Sequence, residues 1–201
     1  MSSAPTIALS LAAWCLMLAG SFGIVAEYST TAGDQRTPPA VWPRDSALHS
    51  AAGRSTLVMF MHPRCPCSRA SLAELEAIVS AAPDRALIYV VFMRPDGAGA
   101  EWEDTDVWAS AGRIEGVYRV VDRTGEEIER FNARTSGLVL LYDAHGELRF
   151  SGGITASRGH LGDNVGRRTV IGLLNGDASL EAEHPVYGCA LHDAIESGST
   201  R

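Results

Sequence analysis

Two cysteines separated by one residue are the side chains of this sequence best suited to chemistry. Cys65 and Cys67 belong to the string Cys65-Pro66-Cys67-Ser68, which follows a short apolar run, residues 57–61, and precedes a segment with the apolar spacing of a helix. Proline is favoured at the first helical position, so the pattern predicts a helix that begins at Pro66 with Cys65 as its N-cap. Unpaired N–H groups at a helix start favour a thiolate, which makes Cys65 the predicted nucleophile.

Neighbouring polar side chains support this prediction. Arg64 and Arg69 bring positive charge close to the predicted thiolate and should lower its pKa further. Ser68 lies three residues after Cys65 and shares its helix face, whereas Cys67 lies two residues on and points elsewhere. A disulfide between Cys65 and Cys67 would therefore be strained and readily reduced.

A third thiol, Cys189, lies in an apolar string near the C-terminus. Two interpretations of it stay open. Cys189 could resolve a disulfide formed at Cys65, which makes Cys65, Cys67 and Cys189 the candidate catalytic residues. Because Cys189 is the only thiol besides Cys65 and Cys67 outside the apolar N-terminal stretch, we expect it to lie near the Cys65-Pro66-Cys67 loop. Alternatively, the three thiols could bind copper(I) or zinc as soft ligands, completed by His62 or His192.

The junction at Cys65 resembles the active site of thioredoxin-fold proteins, in which C-P-x-[SC] follows a strand and opens a helix. The pattern C-x-x-[CS]-R-A-x-hydrophobic is similar to membrane-tethered bacterial thioredoxins of the TlpA and ResA type. The longer strings HPRCPCSRASLAELE, TSGLVLLYDAHGELRFSGGITASRGHLGDN and PVYGC resemble RedB-like bacterial redox proteins, over residues 57–192. The resemblance implies a thioredoxin-like fold, with Cys65 in the nucleophile position and Ser68 in the resolving position.

The chain departs from the thioredoxin pattern before the predicted hairpin. Thioredoxin-fold proteins carry a cis-proline before the first strand of a hairpin, beside the nucleophile, and the matching tripeptide here is Thr135-Ser136-Gly137. We expect trans peptide bonds there, because a cis bond before a residue other than proline costs about 3–4 kcal/mol. Ser136 then stands where the proline would constrain access to the thiol, which opens the site to a metal ion as easily as to a disulfide.

Apolar runs predict the rest of the domain. Leu57–Met61 and Ala86–Phe92, with one helix between them, form a βαβ unit and should be neighbouring parallel strands. The predicted fold class is α/β: a thioredoxin-like fold at residues 56–178 with a central mixed sheet flanked by helices. The other predicted elements are a helix at 101–111, a strand at 117–121, a helix at 126–131, a hairpin with strands at 138–142 and 147–150, and a helix at 165–174.

A glycine-rich loop, residues 151–166, precedes the last predicted helix. It lacks the lysine and the glycine spacing of a phosphate-binding loop. Two interpretations stay open: Arg158 or His160 tunes the thiolate, or Asp163 or Asn164 caps the helix that follows.

The segments outside the domain indicate a membrane-tethered protein. Residues 7–26 are uncharged and long enough to cross a bilayer as a helix, although a cleaved signal peptide is the competing interpretation. The composition of residues 27–55, rich in Ser, Thr, Pro and Gly, predicts a linker. Residues 179–201 are predicted to form a tail that carries Cys189. The net charge of −7 argues against nucleic acid, and the lack of lysine excludes Schiff-base chemistry.

These observations favour a thiol–disulfide oxidoreductase without a cofactor. It would be a single-pass protein of the bacterial cytoplasmic membrane, its domain would face the periplasm, and its partners would be protein thiols and disulfides. The alternatives are a copper or zinc carrier that uses Cys65, Cys67 and Cys189, and an interaction module whose cysteines are vestigial.

Overall fold

The computed structural model describes residues 4–95, 97–102, 104–177 and 183–191. The chain divides into two compact units, Met1–Thr31 and Ala32–Arg201. In the first unit, helix α1 (Ala4–Thr30) includes a stretch, Pro5–Thr30, that is long and apolar enough to cross a membrane, with a mean hydropathy of 2.0. Length and composition thus support the predicted N-terminal membrane helix, and a signal sequence would meet the same criteria.

The described part of the second unit alternates strands and helices. It contains one five-stranded sheet and a short 3-10 helix, Ala100–Trp102. The remaining elements are β1 (Ser55–Met61), α2 (Ser68–Ala81), β2 (Ala86–Met93), α3 (Asp106–Ala111), β3 (Val117–Asp122), α4 (Glu126–Arg130), β4 (Leu138–Tyr142), β5 (Leu148–Gly152) and α5 (Val165–Leu174).

The strand order is β3-β2-β1-β4-β5. Strands β1, β2 and β3 are parallel, with Leu57 opposite Ile88 and Ile88 opposite Val117, whereas β4 runs antiparallel to both β1 and β5. The prediction that β1 and β2 are parallel neighbours is confirmed. This mixed sheet, with a βαβ unit at its centre and a hairpin at its edge, is the predicted thioredoxin-like fold.

The central strand β1 is buried on both sides. Leu57, Met59 and Met61 point to the face covered by α2, α3 and α5, and Val58 and Phe60 point to the opposite face, in keeping with the two-residue period of a strand. All five are fully buried, which explains why the run is apolar without alternation. The sheet therefore holds the end of β1, and the loop that follows it, in a fixed position.

The segment predicted as a linker, residues 27–55, differs from that prediction. Its first residues belong to α1, and from Ala32 onward it is part of the second unit, where Trp42 and Leu48 pack against the second face of the sheet. The ring of Trp42 lies 5.2 Å from each of the rings of Phe131 and Tyr142, and the Tyr142 hydroxyl donates a hydrogen bond to the Pro39 carbonyl at 3.0 Å. The apolar side chains within this polar segment provide the reason, since they cover a sheet face that α4 alone leaves open.

One predicted helix is shorter than expected. The helical pattern of residues 101–111 gives the 3-10 helix at Ala100–Trp102 and then α3, which begins only at Asp106. Thr105 ends the irregular stretch because its side chain accepts a hydrogen bond from the backbone N–H of Trp108 at 3.2 Å, as an N-cap.

Candidate active site

The loop between β1 and α2 carries the first two thiols. Helix α2 begins at Ser68, with Cys67 as its N-cap, so the predicted start at Pro66 is wrong. Two tight turns precede the helix, closed by hydrogen bonds from Cys65 N to His62 O and from Ser68 N to Cys65 O, both at 3.1 Å. Cys65 therefore lies in a turn ahead of the helix and not at its first residues. Direct hydrogen bonds from neighbouring groups, rather than the helix end, have to stabilise a thiolate there.

Cys189 lies next to Cys65. The two Sγ atoms are 2.7 Å apart, and Cys65 is only 2% exposed, whereas Cys189 is half-buried. The predicted proximity of Cys189 to the Cys65-Pro66-Cys67 loop is confirmed. Because 124 positions of sequence separate the two residues, the fold itself brings these thiols together.

Backbone pairing holds the tail in this position. Residues 189–191 run antiparallel to residues 134–136, with a bridge between Thr135 and Ala190. The Ser136 N–H donates to the Cys189 carbonyl, and the Leu191 N–H donates to the Arg134 carbonyl, both at 2.8 Å. The tail is thus an added strand beside the irregular segment that leads into β4.

Two buried serines connect this segment to the cysteine loop. The Ser136 hydroxyl accepts a hydrogen bond from the His62 N–H at 3.0 Å, and the Ser68 hydroxyl donates to the His62 carbonyl at 3.1 Å. The two hydroxyl oxygens are 3.3 Å apart. The described residues contain no cis peptide bond, in agreement with the expectation for Ser136. Ser68, in the resolving position by resemblance, therefore uses its hydroxyl to tie the loop to the sheet.

The three thiols differ in acidity. The pKa of Cys65 falls from an ordinary 9.0 to about 5, first because the Cys189 thiol donates a hydrogen bond to the Cys65 thiolate, against the opposing effect of burial. The backbone N–H groups of Cys189 and Cys67 lower it further. Burial and the charge of Cys65 raise the pKa of Cys67, and the hydrogen bond to Cys65 raises that of Cys189. At neutral pH the site therefore holds one thiolate and two thiols.

Two of the predicted sources of positive charge are engaged elsewhere. The Arg69 guanidinium pairs with Asp106, with Nε and Oδ2 2.5 Å apart, and the Arg64 guanidinium stacks 4.2 Å from the centre of the Trp102 ring. The largest causes of the low pKa of Cys65 are hydrogen bonds from Cys189 and the local backbone. The prediction that Cys65 is the most acidic thiol agrees with these pKa directions, but the arginine part of its argument does not.

Of the two interpretations of the glycine-rich loop, the structure supports the helix cap. The Arg158 guanidinium donates to the Gly188 carbonyl in the tail, and its charge opposes the raised pKa values of Cys67 and Cys189 and is not among the main causes of the low pKa of Cys65. The Asn164 side chain caps α5 by accepting a hydrogen bond from the Arg167 N–H at 2.8 Å. The His160 side chain is exposed.

The metal-binding alternative adds His62 or His192 to the three thiols. Within the described residues, no group of three or more His, Cys, Asp or Glu side chains has an arrangement that could hold a metal ion. His62 accepts a hydrogen bond from the Arg64 N–H on Nδ1 at 3.1 Å, and burial lowers its pKa, so its ring is a neutral part of the loop. His192 lies outside the described residues.

The sequence did not predict the groups that hold the tail in place. These are the Arg134 carbonyl, the Ser136 N–H and Gly188, which the backbone of Ser136 approaches so closely that a Cβ would overlap its carbonyl oxygen. A glycine directly before a cysteine was the available signal, since glycine is used where a backbone comes close.

Comparisons with known proteins agree with the fold. No family model matches the chain, and no curated protein matches it. Among solved structures, an uncharacterized conserved protein from Geobacillus kaustophilus is 18% identical, with a TM-score of 0.56, over 81% of this chain and 92% of its own. The hypothetical protein SMc02350 from Sinorhizobium meliloti 1021 is 21% identical, with a TM-score of 0.54, over 81% and 94%.

A third match has a descriptive name. The exposed lipoprotein thioredoxin Etrx1 from Streptococcus pneumoniae strain TIGR4 is 18% identical over 61% of this chain and 84% of its own, with a TM-score of 0.42. At these identities the two longer matches show a shared fold.

Proposed function

We propose that this chain is a membrane-tethered thiol–disulfide oxidoreductase in which Cys65 is the nucleophile and Cys189 is the resolving cysteine. The observation that carries the proposal is the contact of a thiolate with a thiol: Cys65 has a pKa of about 5, and the Cys189 sulfur lies 2.7 Å from it. The thiolate is the form that attacks a disulfide, and Cys65 is ionised at neutral pH.

The reaction is a two-step exchange. The Cys65 thiolate attacks one sulfur of a substrate disulfide, so a Cys65–substrate disulfide forms, the substrate S–S bond breaks, and the second substrate sulfur leaves as a thiolate that takes a proton. Cys189, after losing its proton to solvent, then attacks the Cys65 sulfur. The Cys65–Cys189 disulfide forms, the first substrate sulfur leaves, and two electrons have passed from the protein to the substrate. Run backwards, the same steps oxidise a substrate dithiol.

The other site residues position these two sulfurs. The backbone N–H of Cys67 stabilises the Cys65 thiolate. The pKa values of the Cys67 and Cys189 thiols are both raised, so the 2.7 Å contact with the Cys65 sulfur, and not acidity, favours Cys189 as the resolving residue. Ser68 and Ser136 fix the loop against the sheet, and Pro66 stiffens the turn that holds Cys65.

The proposed location is the extracytoplasmic side of a bacterial cytoplasmic membrane, with RedB-like proteins as the related subtype. The apolar helix α1 supports a membrane tether, because it is long enough for the hydrocarbon core. A tethered thiol–disulfide oxidoreductase is most useful outside the cytosol, because soluble reductants keep cytosolic thiols reduced. The proposed partners are protein thiols and disulfides.

Serine substitutions test the assignment. With an insulin disulfide or a small aromatic disulfide as substrate, we expect Cys65→Ser to abolish exchange and Cys189→Ser to accumulate a stable mixed disulfide at Cys65, detected by mass spectrometry. Cys67→Ser should retain the larger part of the turnover. Cys15→Ser, a matched change in α1, is the control.

The same preparations separate the alternatives. A Cys67→Ser protein that accumulates the mixed disulfide, beside a Cys189→Ser protein that turns over normally, would reverse the two roles. Stoichiometric copper or zinc in the protein purified under reducing conditions, together with no exchange, would favour a metal carrier.

A further inference from the structure

The tail is bound to the site through main-chain atoms. The two hydrogen bonds that pair it with residues 134–136 join backbone groups, and the Arg158 guanidinium also donates to a backbone carbonyl, that of Gly188. Added strands are recognised in this way, since main-chain hydrogen bonds give affinity for an extended segment of almost any sequence. We call residues 134–136 together with the Arg158 guanidinium the docking strip.

One position of the tail is selective. Gly188 is buried, and a Cβ built there would overlap the carbonyl oxygen of Ser136. Backbone atoms of the strip cannot move aside as the end of a flexible side chain can. Any segment that places a cysteine where Cys189 now lies, in the same direction, therefore needs glycine immediately before that cysteine.

The docking strip can serve one occupant at a time. The Ser136 N–H is a single donor and is used by the Cys189 carbonyl, and the Cys65 thiolate is covered by the Cys189 thiol. With the tail in place, Cys65 is 2% exposed. A substrate disulfide can reach Cys65 only after the tail has moved away from it.

From these contacts we propose that residues 188–191 of the tail are an internal competitor for the site at which an extended substrate polypeptide pairs with the docking strip, and that the substrate carries glycine directly before its reacting cysteine. This inference rests on the proposed function and adds the substrate class and the binding mode. The tail leaves the strip, the substrate strand takes its place and forms the Cys65 mixed disulfide, and the returning tail resolves that disulfide and displaces the reduced strand.

The interactions that hold the tail are compatible with such movement. Residues 188–191 contact the strip through two backbone hydrogen bonds and the bond from Arg158, and Leu191 is buried against the second face of the sheet. Residues 183–186 are held separately, by hydrogen bonds from the His184 N–H to the Ser151 carbonyl and from the Gly33 N–H to the Val186 carbonyl. Residues 188–191 can therefore open locally at lower free energy than the strands of the sheet, while residues 183–186 stay attached.

The test uses full-length protein with Cys189→Ser, so that no internal disulfide forms. The probe is an octapeptide with the sequence of residues 184–191, whose cysteine is activated as a mixed disulfide with a coloured aromatic thiol. The rate of colour release against peptide concentration gives the half-saturating concentration. Adding Gly188→Ala to the protein should dislodge the tail, and Ala190→Ser, a change at an exposed tail position, is the matched control.

We expect Gly188→Ala to lower the half-saturating peptide concentration by at least about tenfold. This factor follows if the tail normally occupies the strip about nine-tenths of the time, so that only about one-tenth of the protein can bind the peptide. Ala190→Ser should leave it unchanged. On the Gly188→Ala protein, a second peptide with its own Gly188→Ala change should need at least about tenfold more peptide for half-saturation. Equal half-saturation on all proteins, or by both peptides, would overturn the proposal.

A small aromatic disulfide without a peptide separates this proposal from the proposed function. If it releases colour with every protein that retains Cys65 while the peptides show no preference, the exchange chemistry stands and the competing strand does not. If neither probe reacts, the proposed function itself fails.

Amide hydrogen exchange provides a second measurement on protein without the Gly188→Ala change. A bound peptide should expose the Leu191 amide, which loses the Arg134 carbonyl, and keep the Ser136 amide protected by the new strand. Protection of both amides unchanged at a saturating peptide concentration would contradict displacement of the tail.

Discussion

The strand and helix that carry Cys65 and the tail that carries Cys189 are held by different forces. Strand β1 lies at the centre of the sheet, and its residues Leu57 to Met61 are fully buried. The tail adds a short strand at an irregular edge, through a few backbone hydrogen bonds. The comparison shows how one thiol is fixed by burial of apolar surface, which cannot be lost locally, while its partner is attached by contacts that can open and reform.

The largest expected difference between the two regions is in stability. Phe60→Ala removes a fully buried ring from the central strand and should lower the free energy of unfolding by about 3–5 kcal/mol. Val186→Ala removes methyl groups of the tail that are buried against the second face of the sheet, and we expect its main effect to be faster exchange of the tail amides. Denaturant unfolding in detergent micelles, beside hydrogen exchange, measures both. Equal losses of global stability would show that the tail belongs to the same cooperative unit as the sheet.

Helix α2, which follows the Cys65 loop, is also joined to the glycine-rich loop. The buried Glu74 carboxylate accepts hydrogen bonds from the Gly162 N–H at 2.7 Å and from the Arg167 guanidinium at 2.6 Å. Glu74→Gln keeps the shape but weakens both charged bonds, and should lower the free energy of unfolding by about 1–3 kcal/mol. Glu76→Gln, two residues along α2, is the control. Unchanged unfolding of the Glu74 variant would contradict the assigned role of this pair.

The contact between the two regions should make the stability of the reduced protein depend on pH. The pKa of Cys65 is about 5 when folded and 9.0 ordinarily, so between these values the unfolded chain binds more protons. The stabilisation from the thiolate is therefore complete above pH 9, and it is lost as the pH falls towards 5.

Urea midpoints at pH 5, 7 and 9, measured with a phosphine reductant, test this dependence. The difference between the original chain and Cys65→Ser isolates the contribution of Cys65 from those of His62 and Asp122, whose pKa values burial also shifts. We expect that difference to grow from pH 5 to pH 9. A constant difference would mean that Cys65 is not a thiolate in the folded protein.

The two regions also differ in how far their sequences predict them. The apolar run of β1, the run of β2 and the length of the connection predict the parallel pair, because complete burial demands apolar residues and a βαβ crossover demands that length. Asn164 was one of two candidate caps of α5, and local hydrogen bonding decides between them. These features depend on interactions between residues close in sequence or on burial alone.

The position of the tail depends mainly on hydrogen bonds between main-chain groups that are far apart in sequence. The hydrogen bond between Ser136 and Cys189 joins a backbone N–H to a backbone carbonyl. Every residue except proline has both groups, so the types of these two side chains do not predict the bond. The proximity of Cys189 to Cys65 was predicted by considering which thiol remained for the reaction. The exact start of α2 was missed because two turns formed where a proline indicated the first helical residue.

The smallest expected effect separates the two explanations of the Cys65 pKa. Arg69 pairs with Asp106 at the exposed surface, so its charge is already compensated, and Arg69→Gln should leave the pKa of Cys65 unchanged. Cys189→Ala removes the strongest hydrogen bond to the thiolate and should raise that pKa towards 9.0. Alkylation rates against pH, with the modified residue identified by mass spectrometry, report both values. If Arg69→Gln raised the pKa of Cys65 as much as Cys189→Ala does, the acidity of Cys65 would come from the helix that follows it. The tail would then contribute only the sulfur that reacts.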